Sequence, residues 1–290
     1  MASGAGLDFL RPEGAAADGV ALAGEWRHRD GAFARTDVLL AVEAPIALQY
    51  NGIAHAVMLA SPCDLEDFAL GFSLSEGILS DAADLYQIDV RSEALGITLA
   101  LDVAAGAFAA LKERRRTLAG RTGCGICGTE SLEQVLRPLP QLASANGQLS
   151  ARALAVATAA LAGAQPLQQQ TGATHAAAWC SIDGSVLHVR EDVGRHNALD
   201  KLIGALRRAR VPTDGGFALV TSRASVEMVQ KAAIAGIGVL AAVSAPTALA
   251  LEVAQRCGLT LIGFARGAGF SVYSHPSRFA GWVPPGSPTP

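Results

Sequence analysis

The stretch that decides the fold runs from Phe217 to Phe264. It reads Phe217–Thr221 (FALVT), Ser225–Ala235 (SVEMVQKAAIA), Val239–Val243 (VLAAV), Thr247–Arg256 (TALALEVAQR) and Leu259–Phe264 (LTLIGF). The short runs are continuously apolar, while the longer ones between them carry apolar residues at helical spacing, as Met228, Val229 and Ala232 do. Strands alternating with helices of that length predict a largely parallel sheet covered on both faces. Working outward, a helix over Asn197–Arg210 precedes this run. Before it, His175–Ser181 and Val186–Arg190 flank Asp183-Gly184 as a hairpin, and after it Phe270–Tyr273 adds an edge strand. Residues 151–164 are alanine-rich and helical.

The N-terminal part follows a different rhythm. Val42–Gln49 and Ala54–Leu59 are apolar runs joined by Tyr50-Asn51-Gly52, a strong hairpin signal because Asn and Gly both tolerate positive φ. Asp64 then predicts an N-cap, with Glu66 and Asp67 in the first turn of a helix carrying Leu65, Phe68, Ala69, Phe72 and Leu74. Leu85–Val90 and Ile97–Leu101 complete a ββαββ roll over 37–104. The domain reading is a flexible segment 1–36, a small α+β domain 37–106, linker helices with a glycine-rich loop 107–150, an α/β domain 151–278 and a disordered tail 279–290.

Composition narrows the function classes. The 290 residues are 50% hydrophobic, 17% charged and only 5% aromatic, with 31 glycines, which describes a globular chain poor in base-stacking rings. A net charge of -3 argues against wholesale phosphate-backbone binding, so no nucleic-acid partner is expected. The longest nearly unbroken small-apolar run, Ala232–Ala245, falls short of the roughly 18 residues of a spanning helix, and no secretory signal is visible. The expected compartment is the cytoplasm, with no membrane partner. Five cysteines are too few and too oddly numbered for a disulfide framework.

Cys124-Gly125-Ile126-Cys127 is the most chemically pointed feature. Glycines at 123, 125 and 128 leave the sulfurs uncovered, while Arg121, Arg114–Arg116 and a helix expected from Ser131 favour thiolate. Four readings compete: half a zinc site, a thioredoxin-like redox pair, a buried structural pair, and covalent sulfur chemistry. Zinc needs a second pair, and Cys63, Cys180 and Cys257 are single and widely spaced. The redox pair normally follows a strand and opens a long helix, whereas this one lies in a loop between helices. A nucleobase-deaminase zinc site is excluded, because none of the six histidines has Glu two residues on and Gly123 stands where that motif has proline.

Three strand ends collect further functional groups. Arg190-Glu191-Asp192-Val193-Gly194-Arg195-His196-Asn197 lies between a strand and a helix, where α/β sheets bind ligands. His196 is its proton-transfer candidate, while Asn197 can merely cap the helix and Glu191 or Asp192 can pair with Arg195. Thr221-Ser222-Arg223-Ala224-Ser225 offers hydroxyls, N–H groups and an Arg to an anion, Ser225 alternatively being a plain N-cap. Phe264-Ala265-Arg266-Gly267-Ala268-Gly269 allows close backbone approach, a cation for phosphate and a ring for stacking. Together they predict a large phosphorylated ligand.

These residues carry a resemblance. Asp64–Phe72 (DLEDFALGF) with Ser75-Glu76-Gly77, Arg121–Gly128 (RTGCGICG), Thr171–Ala177 (TGATHAA), Arg190–Gly204 (REDVGRHNALDKLIG), Thr221–Ala233 (TSRASVEMVQKAA), Ser244–Thr247 and Phe264–Gly267 resemble the FdhD/NarQ family of formate dehydrogenase accessory sulfurtransferases. The likeness spans about residues 37–275, with Ser271–Tyr273 matching less clearly. It implies an α/β fold, with a cytidine-deaminase-like three-layer αβα domain beside the small N-terminal α+β domain, in a cytoplasmic homodimer. It implies a sulfurtransferase activity with two partners, a cysteine desulfurase that supplies sulfur and the formate dehydrogenase catalytic subunit. By position Cys124 matches the persulfide carrier and Cys127 an assisting or receiving thiol. The sulfur is passed to the bis(molybdopterin guanine dinucleotide) molybdenum cofactor, a bound substrate, with no stable metal of the protein's own. Phe264, Ala265, Arg266, Gly267, Ala268 and Gly269 match the segment for its guanine dinucleotide, and His196 and Arg223 are expected to bind or orient its phosphates or pterin. The alternative is a chaperone that holds the cofactor without covalent sulfur chemistry.

Overall fold

In a computed structural model, residues 19–119, 138–143 and 148–283 are described. The C-terminal part centres on a six-stranded sheet in the order β12-β11-β10-β9-β7-β8. Its strands are β7 (His175–Ser181), β8 (Val186–Asp192), β9 (Gly216–Val220), β10 (Val239–Ala242), β11 (Thr260–Arg266) and β12 (Gly269–Val272). Every residue of β9 and β10 is buried, as their unbroken apolar sequences require of strands covered on both faces. Phe217, Leu219, Val239, Ala241 and Ile262 point to one face, where they meet Ala153, Leu154, Ala157 and Leu161 of helix α3 (Ala151–Gly163). Ala218, Val220, Leu240, Ala242 and Leu261 point to the other, against helices α5 (Arg195–Arg208), α6 (Val226–Ile234) and α7 (Ala248–Cys257).

The sheet is less parallel than the sequence predicts. β9, β10 and β11 run parallel, but β7, β8 and β12 each join by antiparallel pairing. A hairpin such as β7–β8 has no crossover helix, so its strands must alternate in direction. The short helix α4 (Pro166–Thr171), with Pro166 in its first turn, was not anticipated from the sequence.

The N-terminal lobe is the expected ββαββ arrangement. β3 (Ala44–Tyr50), β4 (Ile53–Ala60), β5 (Leu85–Glu93) and β6 (Gly96–Val103) form a sheet in the order β4-β3-β6-β5, and α1 (Leu65–Ser75) packs on it with α2 (Ala105–Ala119) nearby. Asn51 and Gly52 turn β3 into β4 with φ of 46° and 79°, as the Asn-Gly signal implies. Asp64 is a correction in part: it takes the expected N-cap position of α1, but at φ 50° and without a side-chain capping bond, and its Oδ1 sits 3.4 Å from Arg190 Nε of the other lobe. The stretch 1–36 is a second correction. Val20–Arg29 (β1) and Ala32–Ala41 (β2) pair along their full length around Asp30-Gly31. That turn stands at φ 51° and 82°, within reach of Asp and Gly. The tail is a third: Phe279 is buried, stacks on Phe270 at 5.0 Å and is followed by an Ala280 N–H bond to the Leu149 carbonyl. Residues 1–18, 120–137 and 284–290 of the expected flexible, loop and tail segments, including Cys124, Cys127 and the helix expected from Ser131, lie outside the described residues.

Helices α1 and α5 join the lobes. A Cβ on Gly71 would lie 1.7 Å from the Asp200 carbonyl oxygen, and one on Gly204 would lie 1.9 Å from that of Asp67. Two glycines therefore let the helix backbones touch where any side chain would part them. This explains why DLEDFALGF is buried almost throughout, between the small sheet and α5.

Candidate functional site at the edge of the large sheet

Strand directions bring the predicted loops to one edge. The parallel strands β9, β10 and β11 end there, at Thr221–Ser225, Val243–Thr247 and Phe264–Gly269. β7 runs the opposite way, so it begins there at His175, which pairs with Asp192 at the end of β8. Helices α5, α6 and α7 consequently all start at this edge, and their N-termini carry partial positive charge and unspent N–H groups. The loops are tied together: Thr247 N–H donates to the Ala224 carbonyl at 3.0 Å and Phe264 N–H to the Ser244 carbonyl at 3.2 Å.

The Phe264 loop is strained and open to solvent. Phe264 holds φ 54°, a conformation that a bulky residue rarely adopts, and its side chain is 46% exposed. Gly263 permits the close turn, since a Cβ there would lie 2.8 Å from Pro246 Cδ and 3.0 Å from the Tyr273 ring. The β11–β12 pairing slips between Gly263 and Arg266, a bulge that re-aims the segment. Arg266 donates Nε to the Val243 carbonyl at 2.9 Å, Gly267 stands at φ 55°, and Ala265 faces the core. Ala268 and Gly269 are exposed in the turn that follows.

The octet from Arg190 to Asn197 divides into two groups. Arg190 turns to the small lobe and grips Asp67 at 2.7 Å, and Arg208 holds the other Asp67 oxygen at 2.8 Å. Glu191 is buried and accepts from Leu167 N, Gln168 N and Thr174 Oγ1, so it caps α4 and is not paired with Arg195. Asp192 accepts from Ser61 N, Gly194 N and Asn197 Nδ2 and forms a fully buried pair with Lys201 at 2.7 Å. Asn197 is no N-cap, because Gly194 takes that position, and its Nδ2 also reaches the Leu59 carbonyl. A second buried knot joins Lys231 to Asp200, Ser75 and Glu76. Burial works against the Lys231 charge, but the Asp200 and Glu76 carboxylates outweigh it and hold its pKa above that of an ordinary lysine. These groups register the lobes. A charge-dense motif can thus serve the interlobe contact as fully as it serves a ligand.

Arg195 and His196 remain at the edge. His196 Nε2 is 2.7 Å from Glu227 Oε2 in the first turn of α6, and this contact holds the Glu227 carboxyl below its usual range. Arg223 is exposed between β9 and α6. Ser225 occupies the N-cap position of α6 but makes no capping bond, and its buried Oγ has no partner among the described residues, nor has Arg195 Nε. Both atoms are enclosed, and they leave unspent hydrogen-bonding capacity beside the helix N-termini. Sequence reasoning named His196 and Arg223 but gave no role to His175 or Glu227, which only the strand order and the α5–α6 neighbourhood bring in. Burial, with Arg195 and His196 close by, lowers the His175 pKa below its ordinary 6.5, so the ring is neutral at pH 7.

The cysteines within the described residues are poor nucleophiles. Burial pushes the Cys180 thiol up to about 12 and raises that of Cys257. Cys63 is half-buried with Lys201 Nζ 3.6 Å away, and burial still raises its pKa against that cation. Among the described residues no cluster of three His, Cys, Asp or Glu side chains is placed to hold a metal ion. No helix among them is long and apolar enough to cross a membrane.

The fold is that of a two-lobed mixed α/β protein with a candidate site of cations, hydroxyls and helix N-termini at the edge of its larger sheet. The chain belongs to the FdhD/NarQ family, whose model matches residues 41–280, a span that includes Cys124 and Cys127. It is 60% identical over 242 residues to the sulfur carrier protein FdhD of Variovorax paradoxus (strain S110), covering 83% of this chain and 87% of that one. The protein of the same name from Xanthomonas euvesicatoria pv. vesicatoria (strain 85-10) is 56% identical over 262 residues, covering 90% and 93%. A crystal structure described as that of a formate dehydrogenase accessory protein from Desulfotalea psychrophila superposes with a TM-score of 0.73 at 24% identity. It covers 90% of this chain and 99% of that one, and shares the fold.

Proposed function

We propose that this protein is a cytoplasmic, homodimeric sulfurtransferase that matures formate dehydrogenase. Cys124 accepts sulfur from a cysteine desulfurase as a persulfide, and Cys127 assists as a second thiol. The acceptor is the bis(molybdopterin guanine dinucleotide) molybdenum cofactor, bound as substrate before it enters the dehydrogenase catalytic subunit. The larger domain is read as a relative of the cytidine-deaminase fold that lacks the deaminase zinc ligands.

The observation that carries this reading is the convergence of three helix N-termini, Arg195, Arg223, His196, Ser225 and the strained Phe264 on one sheet edge. Their chemistry fits a guanine dinucleotide. The α6 N-terminus and the exposed Arg223 receive phosphate oxygens, Phe264 stacks on the base, and Glu227 stands 2.7 Å from His196 Nε2. The names of the relatives support sulfur carriage, and the glycine-flanked Cys124 and Cys127 fall within the family match. A persulfide carrier needs a thiolate on a segment free to move between donor and acceptor, which Gly123, Gly125 and Gly128 permit.

The test is to incubate the full chain with a cysteine desulfurase and cysteine, then weigh it intact. A gain of one sulfur that disappears in Cys124→Ala is expected. No gain in the wild type, with cofactor still bound, would establish a carrier that works without covalent sulfur chemistry.

A further inference from the structure

Resting on that reading, we propose that a cavity beside His175 is a second subsite of the same ligand site. It takes the pterin-type heterocycle at the end of the ligand opposite the guanine. The cavity measures about 520 Å³ and is lined by Gln165, Gln168, Thr174, His175 and Thr221. That volume lies in the range of small-molecule sites.

It opens to solvent, and its lining mixes polar and apolar surface without a charged side chain. It offers two carboxamides, two hydroxyls and an imidazole that burial and the nearby Arg195 and His196 keep neutral. Glu191, the carboxylate in contact with this wall, is already spent on Leu167 N, Gln168 N and Thr174 Oγ1. The cations stand alongside, at the start of α5. An uncharged hydrogen-bonding cavity beside a cationic rim matches a neutral heterocycle tethered to phosphates.

The two glutamines are pre-set as opposites. Gln168 Oε1 accepts from Thr174 N at 2.9 Å and from Thr174 Oγ1 at 3.4 Å, which leaves its NH2 group as a donor. Gln165 Nε2 donates to the Leu161 carbonyl at 2.9 Å, which leaves its oxygen as an acceptor. A 2-amino-4-oxopyrimidine edge, common to pterins and guanine, presents the complementary acceptor and donors. Strand order separates the two candidates for that edge. Phe264 lies near the end of β11 and His175 begins β7, and β10 and β9 lie between them. Three strand spacings amount to about 14 Å. With the guanine on the Phe264 ring, the phosphates fall near α6 and the far heterocycle reaches the His175 cavity.

The experiment titrates 6-hydroxymethylpterin into the full-length protein by its own fluorescence, with and without saturating guanosine diphosphate. The pterin is expected to bind in both cases with a Kd changed by less than about threefold. Ala173→Phe, which fills the cavity wall, should weaken pterin by at least about tenfold and leave guanosine diphosphate unchanged, and Phe264→Ala should do the reverse. Thermal melting confirms that both variants fold. Competition between the two ligands, or loss of guanosine diphosphate in Ala173→Phe, would assign the cavity to guanine and overturn the proposal. Binding of guanosine diphosphate without any pterin binding overturns the subsite alone. Failure of the wild type to bind guanosine diphosphate refutes the underlying reading of the edge.

Discussion

Gly204→Ala should behave opposite to its helix propensity. Alanine is favoured over glycine within a helix by about 1 kcal/mol, so propensity alone predicts stabilisation of α5. The new Cβ would stand 1.9 Å from the Asp67 carbonyl oxygen and 2.6 Å from its carbon, both backbone atoms of α1. Reaching even 3.0 Å, the shortest separation real Cβ atoms show, requires the helices to part by 3.0 − 1.9 = 1.1 Å. No rotamer relieves this, because the clash is with backbone. The parting also loosens Arg208 on Asp67 (2.8 Å) and Ser75 on Asp200 (2.6 Å), which span the same pair of helices. Overpacking costs about 1–3 kcal/mol, and weakening the interhelical hydrogen bonds adds roughly 1 more, so a net loss of about 1–3 kcal/mol is expected after the propensity gain. For a chain of this size that is a fall in Tm of roughly 2–12 °C. Gly106→Ala is the matched control, a helical glycine of α2 with nothing within 4 Å of the added Cβ. It should be neutral or slightly stabilising. Urea denaturation and calorimetry of both variants supply the numbers. If Gly204→Ala proves as stable as Gly106→Ala, the close α1–α5 crossing is wrong.

Two further outcomes follow from the buried charges and from His175. Asp192→Ala should destabilise by about 3–5 kcal/mol, since it strands the buried Lys201 ammonium and removes the acceptor of Ser61 and Gly194 N–H groups. The double variant with Lys201→Met should regain part of that loss in a denaturation cycle. His175 has a folded pKa below 6.5, so the unfolded chain takes up the proton first and stability falls as pH drops from about 6.5 towards the folded value. His175→Gln should lose that segment of the Tm-against-pH curve and match the wild type in shape above about pH 7; an unaltered acid limb would contradict a neutral, half-buried ring.

Much of the architecture was legible because local rules agreed with the global fold. Asn51-Gly52 can only turn, the unbroken apolar runs at β9 and β10 suit only doubly covered strands, and α6 and α7 follow helical spacing. The misreadings occurred where a local signal was claimed by a distant partner. Asp64 does stand at the N-cap of α1, but its carboxylate lies by Arg190 of the other lobe and makes no capping bond. Residues 20–36 show no obvious period because most of the β1–β2 arm is exposed, yet backbone pairing along its full length, with Ala21 buried at its base and His28 against Phe33 near its tip, forms a hairpin.

The site shows the same division. Residue types by themselves determined that the strand ends carry hydroxyls, cations and glycines suited to phosphate, and that Cys124 and Cys127 differ from the other cysteines in their glycine and arginine surroundings. Only tertiary structure decided which members of the Arg190–Asn197 octet are taken up by protein partners and which stay at the sheet edge. Arg190, Glu191, Asp192 and Asn197 are consumed by lobe contacts and by the cap of α4, while Arg195 and His196 stay at the edge. The reason is physical: a side chain's chemistry is fixed by its atoms, but what that chemistry is spent on depends on which partners reach it first. Those partners, Asp67, Ser61, Leu167 and Leu59, come from elements 20 or more residues away in the chain.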